Sequence, residues 1–86
     1  MFTGGQLRMA RGFLKWSVRD LAERSGVADS TIKRMELVDG EPAARPENME
    51  AVFRVLRAAG IIFIPENGGG AGVRLKKGSS HRRAGC

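Results

Sequence analysis

Residues 21–36 read LAERSGVADSTIKRME, which describes a short helix, a glycine turn and a second short helix in consecutive positions. Gly26 can adopt the left-handed backbone conformation that ends a helix at little steric cost. In the helix after the glycine turn, Ile32 and Met35 share one face, and their spacing predicts that this face is buried. The remaining face is polar and carries Asp29, Ser30, Lys33 and Arg34. The segment therefore predicts a helix that is packed on its apolar side and free on its polar side.

Capping signatures predict where the first two helices begin. Thr3 is followed three positions later by Gln6, and this capping box predicts a first helix over residues 4–15. Ser17 is followed by Asp20 at the same spacing, which predicts the start of the helix before the glycine turn.

The rest of the chain is expected to form two more helices and a hairpin. The third helix is expected over residues 29–37, before a turn that contains glycine and proline. Pro46 suits the first position of a fourth helix, which its apolar spacing extends to Gly60. Residues 61–64 are β-branched and aromatic, and residues 73–76 alternate apolar with basic, so we expect two strands joined by a glycine-rich loop. The residues assigned to the core are Leu7, Leu14, Trp16, Leu21, Ile32 and Phe53.

The charge of the chain is unevenly distributed. The 86 residues carry a net charge of +6 and are enough for one small domain. Residues 1–37 hold seven basic and four acidic side chains, residues 38–73 three and five, and residues 74–86 five and none. The positive charge of residues 1–37 favours a polyanionic partner at that end of the domain. The alternative is a solvated charged surface with a soluble basic tail.

The residue inventory argues against an enzyme or a metal site. The one histidine, His81, lies in the tail, and the folded part offers no paired carboxylates in a plausible pocket and no serine with a base. Cys86 has no companion for a disulfide or at metal-ligand spacing, so we expect no metal and no cofactor. The absence of a bilayer-length apolar run or an export signal predicts a cytoplasmic protein that does not enter membranes.

Several motifs together resemble the small helix-turn-helix regulators of the phage-repressor type, the XRE family. They are QLRMAR at residues 6–11, WS at 16–17, DLAERSGV at 20–27 and STIKRME at 30–36. The resemblance covers about residues 5–60, and residues 58–75 are similar to the ending of many short bacterial members. The expected fold is mostly α, a four-helix phage-repressor-like helix-turn-helix domain followed by a C-terminal β-hairpin. The expected parts are a DNA-binding domain over residues 1–60, a hairpin that mediates dimerisation over 61–77 and a disordered basic tail over 78–86.

The resemblance implies that the third helix lies in the major groove of DNA. The residues that it places at the bases are Asp29, Ser30, Lys33 and Arg34, with Thr31 at a phosphate. Their chemistry fits, because Arg34 can donate to guanine O6 and N7 as a fork and Lys33 can do so or neutralise a phosphate. Asp29 can accept from cytosine N4, or it can instead stabilise the positive end of the helix dipole.

Two positions depart from the family pattern. Val18 stands where members usually carry a glutamine that contacts a phosphate, and Ala28 stands where serine or threonine normally caps the third helix. Phosphate anchoring is therefore expected from Arg19, Lys15, Arg8 or the backbone amides at that helix end. The resemblance also implies an ion pair between Arg11 and Glu36, with two solvated charges as the alternative.

The predicted hairpin carries apolar residues on both faces, which is unusual for a sheet with water on one side. We expect one face, that of Ile61 and Phe63 or that of the alternate pair, to pack on the fourth helix and the other on a second copy of the chain or on another protein. The interface residues assigned to the dimer are Ile61, Ile62, Phe63, Ile64, Val73 and Leu75. Two third helices about 34 Å apart are then expected to recognise a palindrome.

These observations predict a sequence-specific DNA-binding transcriptional regulator, a repressor that acts as a homodimer on double-stranded DNA. Its short chain leaves no room for an effector domain. The alternative is an antitoxin-like protein-interaction module in which the isoleucine-rich strand docks a second protein and DNA binding is secondary or lost.

Overall fold

The computed structural model describes residues 1–66 and 68–76, in which four helices precede a two-stranded antiparallel sheet. The elements are α1 Gly4–Leu14, α2 Val18–Ser25, α3 Asp29–Glu36, α4 Pro46–Ala58, β1 Ile61–Ile64 and β2 Gly72–Leu75. This confirms the predicted layout of a mostly helical chain with a C-terminal hairpin. The second strand begins and ends one residue earlier than predicted. The predicted disordered tail, 78–86, lies outside the described residues.

Both predicted capping boxes are present. The Thr3 hydroxyl accepts a hydrogen bond from the Gln6 backbone N–H at 3.0 Å, and the Gln6 side chain accepts one from the Thr3 N–H at 2.8 Å. Ser17 and Asp20 form the same reciprocal pair at 3.0 and 2.9 Å. Because each cap satisfies amides that a helix start leaves unpaired, each stabilises its helix by about 1 kcal/mol.

The two helix ends near α2 use the left-handed conformation in different ways. Gly26 has a φ of 77° and ends α2, as its lack of a side chain predicts. Lys15 has a φ of 59° and follows α1, so the predicted first helix is one residue too long. A left-handed conformation costs a non-glycine residue about 1–2 kcal/mol, and here it allows the Lys15 N–H to bond to two carbonyls of the last turn.

The core lies between the helices and the inner face of the hairpin. Its largest fully buried side chains are Leu7, Leu21, Ile32, Met35, Val52, Leu56 and Ile61. Of the predicted core residues, Leu14, Trp16 and Phe53 are only partly buried and pack around this centre. Phe2, which was not among the predicted core residues, is buried. Its ring stacks on that of Phe63, with 5.5 Å between the ring centroids.

The register of the hairpin decides which of its faces is buried. Ile61 pairs with Leu75 and Phe63 with Val73, and all four side chains pack into or against the core of the same chain. The assignment of Ile61 to a dimer interface is therefore wrong, because its side chain is only 1% exposed. Phe63, Val73 and Leu75 likewise have their faces turned to their own core. The outer face carries the two remaining interface candidates, Ile62 and Ile64, with Arg74 opposite Ile62.

A buried glutamine fixes the hairpin to α1. The Gln6 side chain, 3% exposed, donates from Nε2 to the carbonyl of Ile64 at 2.8 Å and to that of Gly72 at 2.9 Å. These two residues form the last pair of the hairpin. The residue that caps α1 therefore also holds the loop end of the sheet against it.

Candidate nucleic-acid interface

The third helix is buried on one side and open on the other. Ile32 is 0% and Met35 1% exposed, and they hold α3 against the core. The opposite side presents the predicted base-contact residues, all of which are exposed: Asp29, Ser30, Lys33 and Arg34. Thr31 is half-buried beside them. The periodicity of residues 29–36 therefore orients this helix as predicted, since its apolar pair is the only part that reaches the core.

The cations of α3 differ from most others in having no protein partner. In the described part of the chain, five arginines form ion pairs with carboxylates: Arg8, Arg11, Arg19, Arg45 and Arg54. Two more, Arg24 and Arg57, lie over aromatic rings. Over residues 1–66 and 68–76, the side chains of Ser30, Lys33 and Arg34 form no hydrogen bond or ion pair. Lys33 and Arg34 lie in the last turn, where a positive charge also favours the helix dipole. Their donors are nevertheless available to an external acceptor.

A bidentate ion pair holds the end of α3 to α1. Arg11 Nε lies 2.8 Å from Glu36 Oε2, and Arg11 Nη2 lies 2.9 Å from Glu36 Oε1. The pair implied by the resemblance is thus present. Arg11 also donates to the carbonyl of Trp16 at 3.0 Å, so one guanidinium connects α1, α3 and the segment before α2. The hydrogen bonds to Glu36 raise the pKa of Arg11 above its usual range, and burial opposes them only in part.

Arg8, one of the predicted phosphate contacts, contacts the end of α3 and the segment after it. Its guanidinium donates to the carbonyl of Glu36, the last residue of α3, and pairs with the carboxylate of Asp39. Because the carbonyls at a helix end carry partial negative charge, an arginine placed there stabilises the helix. Arg8 is therefore engaged within the fold and is not a free cation.

The other two predicted phosphate contacts flank the start of α2. Lys15 is exposed two positions before Ser17, the capping residue of α2, and Arg19 lies in the first turn of α2. Arg19 Nε is 3.9 Å from Glu23 Oε2, and both side chains are largely exposed. An exposed pair at this distance contributes about 0–1 kcal/mol, so a phosphate can compete for Arg19.

The two departures from the family pattern have visible structural consequences. Val18 is half-buried and packs against the core, which a longer polar side chain cannot do as well. Ala28 precedes α3 and provides no side-chain cap, and Asp29 forms no hydrogen bond to the helix amides. Asp29 can therefore act on α3 only through its charge in the first turn. The Thr31 and Ile32 amides donate to the Ala28 carbonyl, and no side chain caps the start of α3.

Sequence reasoning missed two polar residues next to α3. Arg45 and Asn48, at the start of α4, line a surface depression together with Thr31 and Arg34. The available signal was a basic residue and an amide on either side of Pro46, but nothing in the sequence places them beside a helix that ends at residue 36.

Comparison with known proteins adds no assignment, because no family model and no curated protein matches this chain. Among residues 1–66 and 68–76, no three histidine, cysteine or acidic side chains come together as metal ligands do. None of the helices described is long and apolar enough to cross a membrane.

Proposed function

We propose that this chain is a sequence-specific DNA-binding transcriptional regulator that places α3 in the major groove. The helix-turn-helix assignment for α2 and α3 is part of this proposal, as is membership of the phage-repressor-type family. The observation that carries it is a row of unpaired donors on α3 opposite a fully buried apolar pair. An exposed helix of this kind fits the width of the major groove, and arginine and lysine are the commonest side chains on guanine.

The contacts of Arg8 and Arg11 with Glu36 at the end of α3, here called the clamp, support the same proposal. Reading base edges requires that the helix keep a fixed orientation while the phosphates draw the protein on to the duplex. Two hydrogen bonds from the Arg11 guanidinium to the Glu36 carboxylate attach the end of α3 to α1. Arg8 donates a further hydrogen bond to the carbonyl of Glu36, the last residue of α3. Such rigidity serves a helix whose outer side chains must meet a partner in register.

The proposed regulator acts as a homodimer and represses by occupying a palindromic operator. The outer face of the hairpin supports a second copy, because Ile62 and Ile64 lie there without packing on the core of their own chain. Neither of these two residues belongs to α3. Replacing Ile62 by aspartate is expected to give monomers in analytical ultracentrifugation. Monomers of the unchanged chain at micromolar concentration contradict the dimer.

The decisive experiment selects bound sequences from a random duplex pool and then measures variants by fluorescence anisotropy. Arg34→Ala is expected to cost about 1–3 kcal/mol at one base position, and Lys33→Ala to weaken all sequences and reduce the salt dependence. Arg54→Ala is the matched control, since Arg54 is also exposed but is paired with Glu50 on α4. Unchanged affinity of Arg34→Ala contradicts the assigned site, and no duplex binding at low salt contradicts the function.

A protein-interaction module of the antitoxin-like kind is the second candidate. It is favoured by two exposed apolar residues one turn apart on α1, Met9 and Phe13, which are 43% and 51% exposed. Exposed apolar patches are typical of surfaces that contact other proteins. Co-purification of a stoichiometric second protein, together with no duplex binding, decides for this candidate.

A further inference from the structure

A groove open to solvent runs along β1, between α4 and the segment before α1. It has a volume of about 710 Å³, and Ile61, Ile62, Phe63 and Pro65 line it along the strand. Sites for small molecules usually have volumes of about 300–1,000 Å³. No residue of α3 lines the groove, so it is separate from the proposed DNA-contacting surface.

The apolar part of the lining is built on three aromatic rings. Phe2, Phe53 and Phe63 stack on one another, with 5.4, 5.5 and 6.5 Å between their ring centroids. They come from the segment before α1, from α4 and from β1. Phe53 and Phe63 are only partly buried, so part of their surface remains in contact with water. An apolar ligand that covers this surface is favoured, because apolar surface is removed from water on both sides.

Two cations line the groove at the end where β1 begins. The Gly60 N–H donates to the Arg57 carbonyl at 3.0 Å, and the Gly60 carbonyl accepts from the Lys76 N–H. Gly60 therefore brings the backbones of both residues to this end of the strand. The Arg57 guanidinium lies 5.5 Å from the centroid of the Phe53 ring, and over residues 1–66 and 68–76 it forms no ion pair or hydrogen bond. Its donors are available to the carboxylate of a ligand.

The two carboxylates of the lining do not neutralise Arg57. Glu66 follows the other end of β1, which is separated from the first by about 10 Å of strand. Its Oε2 accepts hydrogen bonds from the N–H groups of Gly68 at 3.3 Å and Gly70 at 3.1 Å, within its own loop. Glu41 comes from the segment between α3 and α4 and forms no ion pair with Arg57. A ligand carboxylate is therefore favoured at the Arg57 end of the groove.

We infer that this groove binds a free amphipathic monocarboxylic acid of the medium-chain fatty acid type. The Arg57 guanidinium donates hydrogen bonds to the ligand carboxylate, and Lys76 adds positive charge at the same end. The aliphatic chain lies along β1 and contacts the rings of Phe53 and Phe63. The inference goes beyond the proposed function, because it requires neither DNA nor a second copy of the chain.

Isothermal titration calorimetry of the full chain with decanoate, below the concentration at which decanoate forms micelles, tests the site. Arg57→Gln is expected to lower the affinity about tenfold, the lower end of the effect of a hydrogen bond to a charged group. Arg54→Gln is the matched control and is expected to leave the affinity unchanged, because Arg54 is exposed on the same helix, is paired with Glu50 and does not line the groove.

Two ligand series separate the charged from the apolar contact. From hexanoate to decanoate the affinity is expected to rise about fourfold for each methylene group that the groove covers. Octanol is expected to bind more weakly than octanoate, and Arg57→Gln is expected to leave the affinity for octanol unchanged, since an alcohol has no charge for Arg57 to neutralise.

Circular dichroism checks that each variant is folded, which is expected because Arg54 and Arg57 are exposed and glutamine is a good helix former. Equal affinity of Arg57→Gln and the unchanged chain for decanoate overturns the inference, as does equally tight binding of decyltrimethylammonium, or no binding of decanoate at millimolar concentration. An affinity that falls as the protein concentration is raised shows that a second copy occupies the groove, and it also overturns the inference. Failure of the unchanged chain to bind duplex DNA overturns the proposed function alone, since no residue of α3 lines the groove.

Discussion

Alanine at Gly4 and alanine at Gly12 are expected to change stability in opposite directions, although both glycines lie on α1. A Cβ added at Gly4 is placed 1.9 Å from the backbone oxygen of Val38 and 2.5 Å from that of Met35. A Cβ added at Gly12 has no such atom within 4 Å. Gly12→Ala measures the general effect of adding a methyl group to a helix. The difference between the two variants therefore measures how closely α1 approaches the backbone of Met35 and Val38.

The magnitudes follow from these two environments. At Gly4 the backbone of Val38 must retreat by about an ångström before the contact becomes tolerable, and no flexible side chain can move in its place. Inserting a group into a well-packed site costs about 1–3 kcal/mol, and movement of backbone places Gly4→Ala at about 3 kcal/mol. The Gly4 N–H also donates to the Gly40 carbonyl at 2.9 Å, a bond that the same movement strains. Gly12→Ala is expected to stabilise by about 0.5–1 kcal/mol, because alanine loses less backbone entropy in a helix.

Thermal unfolding followed by circular dichroism tests both values. In a domain of this size about 1 kcal/mol shifts Tm by roughly 4–8 °C, so Gly4→Ala is expected to lower Tm by about 12–24 °C and Gly12→Ala to raise it by several degrees. Urea denaturation provides the free energies independently. A Gly4→Ala variant as stable as the unchanged chain refutes the close approach of α1 to Val38, and a destabilised Gly12→Ala variant refutes the assignment of an open site at Gly12.

Three further predictions concern the contacts that hold the helices and the hairpin. Gln6→Ala is expected to lower the free energy of unfolding by at least about 2 kcal/mol, because it leaves two hairpin carbonyls without their donor and removes an acceptor from the α1 cap; urea denaturation measures this. Glu36→Gln is expected to cost about 1–3 kcal/mol, because it breaks a charge-assisted bidentate pair, while the exposed control Glu23→Gln changes stability by less than about 1 kcal/mol; equal effects in urea denaturation contradict the clamp. The hydrogen bond from the Ser17 backbone lowers the pKa of Asp20 below its ordinary 3.8, so the stabilisation is present above that value and is lost as pH falls through the folded pKa. Asp20→Asn is expected to flatten this acid limb of the stability curve, and an unchanged limb contradicts the assignment.

The local elements could be predicted because their causes lie within a few residues. The capping boxes at Thr3 and Ser17 join residues three positions apart, and the buried pair Ile32 and Met35 is visible as a helical period. Gly26 ends α2 through its own backbone freedom. Such features depend on neighbours along the chain, so their spacing is sufficient to place them.

The candidate site was predictable only in part. The polar side of α3 followed from its period, and the contact of Arg11 with Glu36 followed from the family resemblance, since the two residues are 25 positions apart. The engagement of Arg8 at the end of α3 and the placement of Arg45 beside it did not follow. Both depend on how loops bring separate helices together, and loop geometry leaves no periodic signal in the sequence.

The hairpin separates the two kinds of information most clearly. Its sequence alone determined that two strands form and that both faces of the first are apolar. Only the tertiary structure decided that Ile61 and Phe63 turn inward while Ile62 and Ile64 turn outward. A shift of one residue in register exchanges the faces of a strand, and the side chain of Gln6, 58 positions from Ile64, fixes the hairpin against α1. Local composition determines which elements can form, and contacts between distant parts of the chain determine which of their faces remain free for a partner.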